Sequence, residues 1–334
     1  MKIPTGSDFG FSQKFNLAVN FNYMLSIVLP CYNEEKNIPV VYKQIKLALP
    51  DASMEIIFVD DGSGDETFRR ISELSAADPS VKGISLSRNF GHQVALLAGL
   101  KEAAGELVIS LDADGQHPPA VIPFLLEKQK EGYDIINTRR LDSDNTGWLK
   151  RKSSRWFYRL INMMSDVKIE SAAADFRLMT REALIAYLQI DEHNRFTRGL
   201  VGWMGFRQAV VEFQPESRIS GKSKYTLRRM LRFALDGITS FSSLPLRMSM
   251  YLGVLVFLFA IVYIVYALVM HFSGNTNPGW TSLLIVILLL GGIQLLTIGI
   301  IGEYLARIFN EVKGRPHYFI CERTGQDTDS EEKR

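Results

Sequence analysis

Gly105-Glu106-Leu107-Val108-Ile109-Ser110-Leu111-Asp112-Ala113-Asp114-Gly115-Gln116-His117-Pro118-Pro119 is the stretch on which the reading of the chain turns. Leu107 to Leu111 is an apolar run of strand length, and the proline pair stops regular structure. Asp112 and Asp114 therefore stand two apart where a buried strand ends. As the backbone leaves the pleat both carboxylates can turn toward one point. That suits a hard divalent cation that keeps positions open for phosphate oxygens. Asp and Gly are also ordinary turn residues, so the pair alone favours a capped turn over a metal site.

The flanking sequence alternates strands and helices. Leu25 to Pro30 reads as a strand, Cys31 to Glu35 as a loop, and Ile38, Val41, Ile45 and Leu49 as the apolar face of a helix. Met54 to Val59 is a second strand ending in Asp60-Asp61-Gly62-Ser63, with Ser63 or Asp65 placed to cap a helix through Phe68, Ile71 and Leu74. A strand at Val81 to Leu86, a small-residue helix at Gly91 to Ala104, a helix at Val121 to Lys130 and a strand at Asp134 to Asn137 complete the pattern. This alternation predicts an α/β fold with a mostly parallel sheet and right-handed crossovers, and such sheets bind ligands at the carboxyl ends of their strands. Tyr32–Glu35, Asp60–Ser63 and Asp112–Gln116 all fall on that rim. Neither common glycine-rich phosphate loop is present, so a nucleotide here needs its phosphate charge met by a metal and by basic side chains.

Beyond Thr138 the chain is basic, with Arg139, Arg140, Lys150, Arg151, Lys152, Arg155 and Arg159, part of it read as a helix. Asp175 follows the small-residue stretch Ser171 to Ala174, and its spacing favours a helix or turn cap over a general base. Gly199 to Phe206, with Trp203, is expected to pack on the sheet edge. Arg218-Ile219-Ser220-Gly221-Lys222-Ser223-Lys224 carries three cations on a loop suited to phosphate, or to plain solvation.

Tyr225 to Ser243 has Leu227, Leu231, Leu235 and Ile238 opposite Arg228, Arg229 and Arg232, the pattern of a helix lying at a headgroup surface. Met248 to Met270 and Trp280 to Gly302 are uncharged runs of about 23 residues, each about 35 Å as helix and long enough for a hydrocarbon core of about 30 Å. His271 to Gly279 holds no Lys or Arg, whereas both outer flanks do, so the positive-inside rule puts both termini and the α/β domain in the cytosol. Glycines 291, 292, 299 and 302 offer close helix packing within or between subunits. The expected division is a flexible or amphipathic lead-in over 1–23 without a signal peptide, a catalytic domain over 24–224 and a juxtamembrane helix over 225–247. A hairpin over 248–303 (spans 248–270 and 280–302) and a cytosolic tail over 304–334 follow. Lys plus Arg 38 against Asp plus Glu 36, a net charge of +2, is too balanced for a nucleic-acid binder. Cys31 and Cys321 stand far apart, form no metal-ligand pattern and read as reduced thiols.

Several motifs together resemble a known family. They are Pro30-Cys31-Tyr32-Asn33-Glu34, Val59-Asp60-Asp61-Gly62-Ser63, Arg88-Asn89-Phe90-Gly91, Asp112 to Pro119, Asp175-Phe176-Arg177-Leu178, Gly221-Lys222-Ser223-Lys224-Tyr225 and Arg315-Pro316-His317-Tyr318. With the two spans, they resemble the family 2 glycosyltransferases of glycosyltransferase A fold. Within these the likeness is to the polyprenyl-phosphate glycosyltransferases, nearest to the GtrB-like bactoprenol glucosyltransferase type and related to dolichol-phosphate mannose synthases. The resemblance implies inverting transfer of a hexose, glucose from UDP-glucose, to an undecaprenyl-type phosphate for cell-envelope glycan modification. It also implies a Mg or Mn cofactor, membrane lipids as partners, and a homo-oligomer, with a tetramer favoured. Pro30, Tyr32, Glu34 and Val59 would border the nucleotide, and Asp61 would meet base or ribose. Asp112 and Asp114 would hold the metal, with Ala113 and Gln116 beside the diphosphate and Arg139 near the donor. Arg218 and Lys224 would neutralise donor or acceptor phosphate, and Asp175 would correspond to the proposed catalytic base.

Dolichol-type enzymes often carry Ser-Gly after that aspartate; Phe176-Arg177 here favours the bacterial branch. A phosphate monoester is largely ionised at neutral pH, its second pKa being about 6, so Asp175 is expected to orient more than to accept a proton. Other donors (GDP-mannose or a UDP-amino sugar), a processive polysaccharide synthase and a non-catalytic membrane scaffold are the competing readings. Arg195 to Trp203 lacks the Gln-x-x-Arg-Trp spacing of the synthases, and two spans are too few to line a pore.

Overall fold

β1 (Leu25–Cys31) is buried along its whole length, which is why its sequence is apolar at every position but Ser26 rather than alternating. A computed structural model describes residues 24–141, 173–193, 195, 197–214, 244–273 and 279–324. β1 pairs in parallel with β2 (Met54–Asp60) on one side and with β4 (Leu107–Ser110) on the other, and β2 pairs in parallel with β3 (Val81–Leu86). Pro30 is tolerated in this central strand for a geometric reason. The Val28 carbonyl faces β4, accepting from the Leu111 amide, and the Cys31 carbonyl faces β2. Pro30, in phase with Val28, turns its missing N–H to the β4 side beyond the last pair, Val28 with Ser110.

The helices cover both faces. On one, α1 (Ile38–Ala48), α2 (Thr67–Ala77) and α4 (Ile122–Lys130) bury Ile38, Val41, Ile45, Ile71 and Leu125 against Ile27, Leu29, Ile56 and Phe58. On the other lies α3 (His92–Glu102), and α5 (Arg181–Gln189) packs beside it. Gly99 explains how closely α3 sits, since a Cβ there would come within 2.4 Å of Val28 Cγ1 and 2.9 Å of Val59 Cγ2. The seam between β1 and β4, where strand order reverses, opens the crevice in which α/β sheets bind ligands.

Three strands escaped the sequence reading. β6 (Ala173–Thr180) runs antiparallel between β4 and β5 (Ile135–Arg140), and β7 (Gln208–Phe213) pairs with β5 on the outer edge. Asp175 is thus a strand residue and not a cap. The segment read as a free tail over 304–334 contains β8 (Ile320–Arg323), which pairs antiparallel with β3 and closes the opposite edge of an eight-stranded sheet. α6 (Thr197–Trp203) buries Leu200 and Val201, and the Val201 carbonyl accepts from Gln208 Nε2 of the edge strand β7 (2.8 Å), while Trp203 itself is 63 % exposed.

Two further helices form a second compact unit, α7 (Leu244–Phe272) and α8 (Trp280–Val312), which touch each other. Candidate membrane spans lie at Leu246–Phe272 and Leu289–Val312, with mean hydropathy 2.9 and 1.6. Phe257, Phe259, Leu295 and Ile298 are each more than half exposed, a surface that fits lipid rather than water. α7 begins inside the stretch read as a juxtamembrane helix, and α8 continues past Gly302, where the second span was expected to end. The lead-in over 1–23, the basic stretch from Lys150 to Arg159, Arg218, Lys224 and the amphipathic stretch 225–243 lie outside the described residues.

Candidate active site

A cleft of about 280 Å³ opens where β1, β2, β3 and β4 end, and each strand contributes the residues that follow it. β1 supplies Pro30, Tyr32 and Glu34, β2 supplies Asp61, β3 is followed by Asn89, Gly91 and His92, and β4 by Asp112, Ala113 and Asp114. All three loops predicted to converge do so.

The loops are fastened to one another. Asn33, in a left-handed conformation (φ 56°), donates its amide to Ser63 Oγ (2.9 Å) and accepts from the Gly64 amide through Oδ1 (3.0 Å). Such a φ is tolerated by Asn because its short polar side chain bonds locally. Asp65 accepts from the Thr67 amide (3.1 Å) at the start of α2, while Ser63 turns to Asn33 instead. Asp61 accepts from the amides of Phe90 (2.7 Å) and Gly91 (2.9 Å), so both oxygens already serve to hold the loop before α3. Burial raises the Asp61 pKa, and those two amides only partly offset it. Gly62, at φ 66°, lies where a Cβ would meet the Arg88 carbonyl carbon at 2.5 Å. Cys31 also lines the cleft, but burial and then its acidic neighbours push its thiol well up, which keeps it protonated and unreactive.

Asp112 and Asp175 are brought together by the β4–β6 pairing, in which Ser110 opposes Arg177 and its hydroxyl donates to the Asp175 carbonyl at 2.5 Å. One imidazole lies between the two carboxylates, with His92 Nε2 3.0 Å from Asp112 Oδ1 and 3.9 Å from Asp175 Oδ2. Asp175 is further held by Gln93 Nε2 (3.1 Å), Arg177 Nη2 (3.4 Å) and Arg198 Nε (3.6 Å). Burial would raise its pKa, but the charges of Arg198 and Arg177, then of His92 and His117, outweigh that and lower it. A carboxylate so held is a poor proton acceptor.

Asp114 accepts from the backbone amide of Gln116 (3.0 Å) and from its side-chain amide. Gln116 Oε1 in turn accepts from Arg140 Nη1 at 2.8 Å. Arg140 Nη2 also lies 3.1 Å from Nε2 of His117, a ring stacked on Phe176 whose pKa burial pushes down. Two expected site residues are elsewhere. Arg139 pairs with Glu212 of β7 and leaves the rim to Arg140. Val59 is fully buried beneath Gly99 and is core.

Among the described residues no three His, Cys, Asp or Glu side chains gather as a metal cage. Two carboxylates at the cleft do fit the kind of site in which a hard cation is shared between one or two protein carboxylates and substrate phosphates. His92, Gln93, Asn89, Arg140, Arg177 and Arg198 were missed as site residues. For His92 and Gln93 the signal was their position directly after Arg88-Asn89-Phe90-Gly91.

The comparisons with known proteins agree with this geometry. Residues 26–188 match the model of glycosyl transferase family 2, and residues 244–308 match the GtrB C-terminal hairpin. The chain is 44 % identical over 302 residues to the bactoprenol glucosyl transferase of Shigella phage SfII, covering 89 % of this chain and 97 % of that one. It is 42 % identical over 299 residues to the prophage bactoprenol glucosyl transferase homolog of Escherichia coli (strain K12), covering 89 % and 98 %. It is also 41 % identical over 303 residues to the uncharacterized glycosyltransferase YkcC of Bacillus subtilis (strain 168), covering 90 % and 94 %. Strand order, cleft and relatives thus coincide: the chain is a glycosyltransferase of the mostly parallel glycosyltransferase A fold and belongs to glycosyl transferase family 2.

Proposed function

We propose that the protein transfers glucose from UDP-glucose to a polyprenyl phosphate of undecaprenyl type, with inversion at the anomeric carbon. The observation that carries this reading is the Asp112–Asp114 loop in the cleft with the arginine-clamped Asp175 beside it across His92, in a chain that carries two candidate membrane spans. The relatives described as bactoprenol glucosyl transferases support donor and acceptor alike.

Tyr32 and Glu34 border the nucleotide, and Asp61 shapes its pocket by holding the Phe90 and Gly91 amides. Asp112 and Asp114 would hold a divalent Mg or Mn ion, which when bound supplies positive charge against the departing diphosphate. Gln116 and Arg140 fix Asp114 from behind. The acceptor phosphate oxygen forms the new bond to C1 as the C1–O bond to UDP breaks. Its electron pair leaves with UDP, and no proton has to move, because the monoester is already largely ionised. Asp175, with a lowered pKa, therefore orients His92, Arg198 and the reacting groups. Arg218 and Lys224 remain assigned to donor or acceptor phosphate. A single displacement gives a β-linked product from an α-linked donor.

The spans cross as a hairpin with both ends cytosolic. Residues before α7 and after α8 contribute strands to one sheet, so the chain leaves and rejoins the same folded domain. The absence of Lys and Arg from His271 to Gly279 supports the same orientation. We assign a homo-oligomer, with a tetramer favoured by the family.

The test is a donor panel. Purified full-length protein with undecaprenyl phosphate is offered UDP-glucose, UDP-amino sugars and GDP-mannose, with and without EDTA. Metal-dependent use of UDP-glucose is expected. Strict use of GDP-mannose would overturn the donor, and no lipid-dependent turnover with any sugar would favour a scaffold.

A further inference from the structure

Asp175 is clamped on one side by Arg198 and, through Gln93, by Thr197. Both belong to α6, and Asp191 and His193, which precede α6, meet His317 of the C-terminal stretch. Asp191 Oδ1 lies 2.8 Å from His317 Nε2, and the rings of His193 and His317 are 4.6 Å apart. Arg195 donates to the Ile190 carbonyl and lies over the Tyr187 ring at 5.4 Å, and the Tyr187 hydroxyl is 3.0 Å from Thr197 Oγ1. His317 thus meets Asp191 and His193, while Tyr187, Ile190 and Arg195 on the same stretch of chain reach Thr197, next to Arg198.

The C-terminal stretch is itself firmly seated. β8 pairs with β3, the Ser87 amide donates to the Phe319 carbonyl (2.9 Å), and Thr324 exchanges bonds with Gly83 through its Oγ1 (2.8 Å) and its amide (2.9 Å). Arg323 pairs with Glu102 at the end of α3 at 2.9 Å. His317 thus presents a fixed surface, its side chain only 8 % exposed, while that of Asp191 is 81 % exposed. A polar pair with one partner so open to water adds little to overall stability. What such a pair does well is fix the position of the loop that carries it.

We propose that His317 is a positioning residue for catalysis: by holding Asp191 and His193 it sets the entry to α6, so that Arg198 and the Thr197–Gln93 pair hold Asp175 in its working orientation. The role of the C-terminal strap is thereby extended from closing the sheet edge to shaping the reacting centre. The proposal rests on the reading of Asp175 given above.

The experiment measures steady-state glucose transfer by the full chain in detergent, with UDP-glucose and undecaprenyl phosphate, for His317→Ala, His317→Gln, Asp191→Ala, Arg198→Ala and the His317→Ala/Arg198→Ala double variant. His317→Ala and Asp191→Ala are each expected to lower kcat by about fivefold or more, with the KM for UDP-glucose and the thermal unfolding midpoint unchanged. His317→Gln keeps a donor near the Nε2 position and is expected to recover most of the rate. In the Arg198→Ala background the His317→Ala loss is expected to shrink, since one of the two arms through which His317 acts on Asp175 is already gone. Full activity of His317→Ala, a loss matched by loss of folded protein, or full additivity with Arg198→Ala would each overturn the proposal. Asp175→Asn serves as the control. If that variant alone is impaired, only the strap proposal falls; if it keeps the full rate, the reading of Asp175 falls and takes the proposal with it.

Discussion

Gln116 Oε1 accepts from Arg140 at 2.8 Å, while the neighbouring Arg139 pairs with Glu212 on β7. Consecutive strand residues face opposite ways, and the β5–β6 register shifts between Asn137 and Arg139. Only one arginine can serve the rim. Arg140→Ala is expected to lower kcat/KM by about ten- to a hundredfold, the cost of losing a charged hydrogen bond at the site. Arg139→Ala, which opens a pair already partly exposed, is expected to stay within about twofold of the parent. Side-by-side kinetics of the two variants decides the matter.

Asp175→Asn tests orientation against proton transfer. The lowered Asp175 pKa argues that it stays ionised across the working range, so the variant is expected to be slower by roughly a hundredfold with a pH profile parallel to the parent's. Disappearance of one limb of that profile would restore the role of base.

Gly62→Ala tests the loop fastening. The new Cβ would press on the Arg88 backbone in a conformation that already disfavours a side chain. A destabilisation of about 2–4 kcal/mol is expected, read as a lower unfolding midpoint, with the donor KM raised because Asp61 and the Phe90 and Gly91 amides lose register.

Glu55 sets an acid limit to stability. Burial would raise its pKa, but Lys82 (2.6 Å), Ser26 and the Ala104 amide (2.7 Å) outweigh that and lower it. A carboxylate held below its ordinary value stabilises the fold above the unfolded-state pKa, and that contribution is lost as pH falls below it. Glu55→Ala is expected to cost about 1–3 kcal/mol at neutral pH. Its deficit should shrink once the pH drops below about 4, where the parent loses the same interaction. Unfolding curves of both proteins over that range provide the check.

The parallel half of the sheet was legible because β1, β2 and β4 are buried on both faces and read as largely apolar runs, interrupted chiefly by Ser26 and Glu55. β6 was not, since Ala173 to Thr180 places Asp175 and Arg177 within a strand, where they lie 3.4 Å apart and Asp175 is also met by Gln93 and Arg198. β8 was invisible for a different reason: Ile-Cys-Glu-Arg is a short, half-polar edge whose partner, β3, lies far away in sequence. The acidic loops were legible as a rim. Their fastening was not, because the choice between Arg139 and Arg140, or the use of Asp61 as a clasp, depends on register and on contacts between distant loops.

The central claim is most directly tested by the product itself. The purified full chain, given UDP-glucose, undecaprenyl phosphate and Mg or Mn, is predicted to form β-glucosyl phosphoryl undecaprenol and UDP in equal amounts, and Asp114→Asn is predicted to abolish both. Release of UDP without a glucosylated lipid, or an undiminished rate in Asp114→Asn, would contradict it.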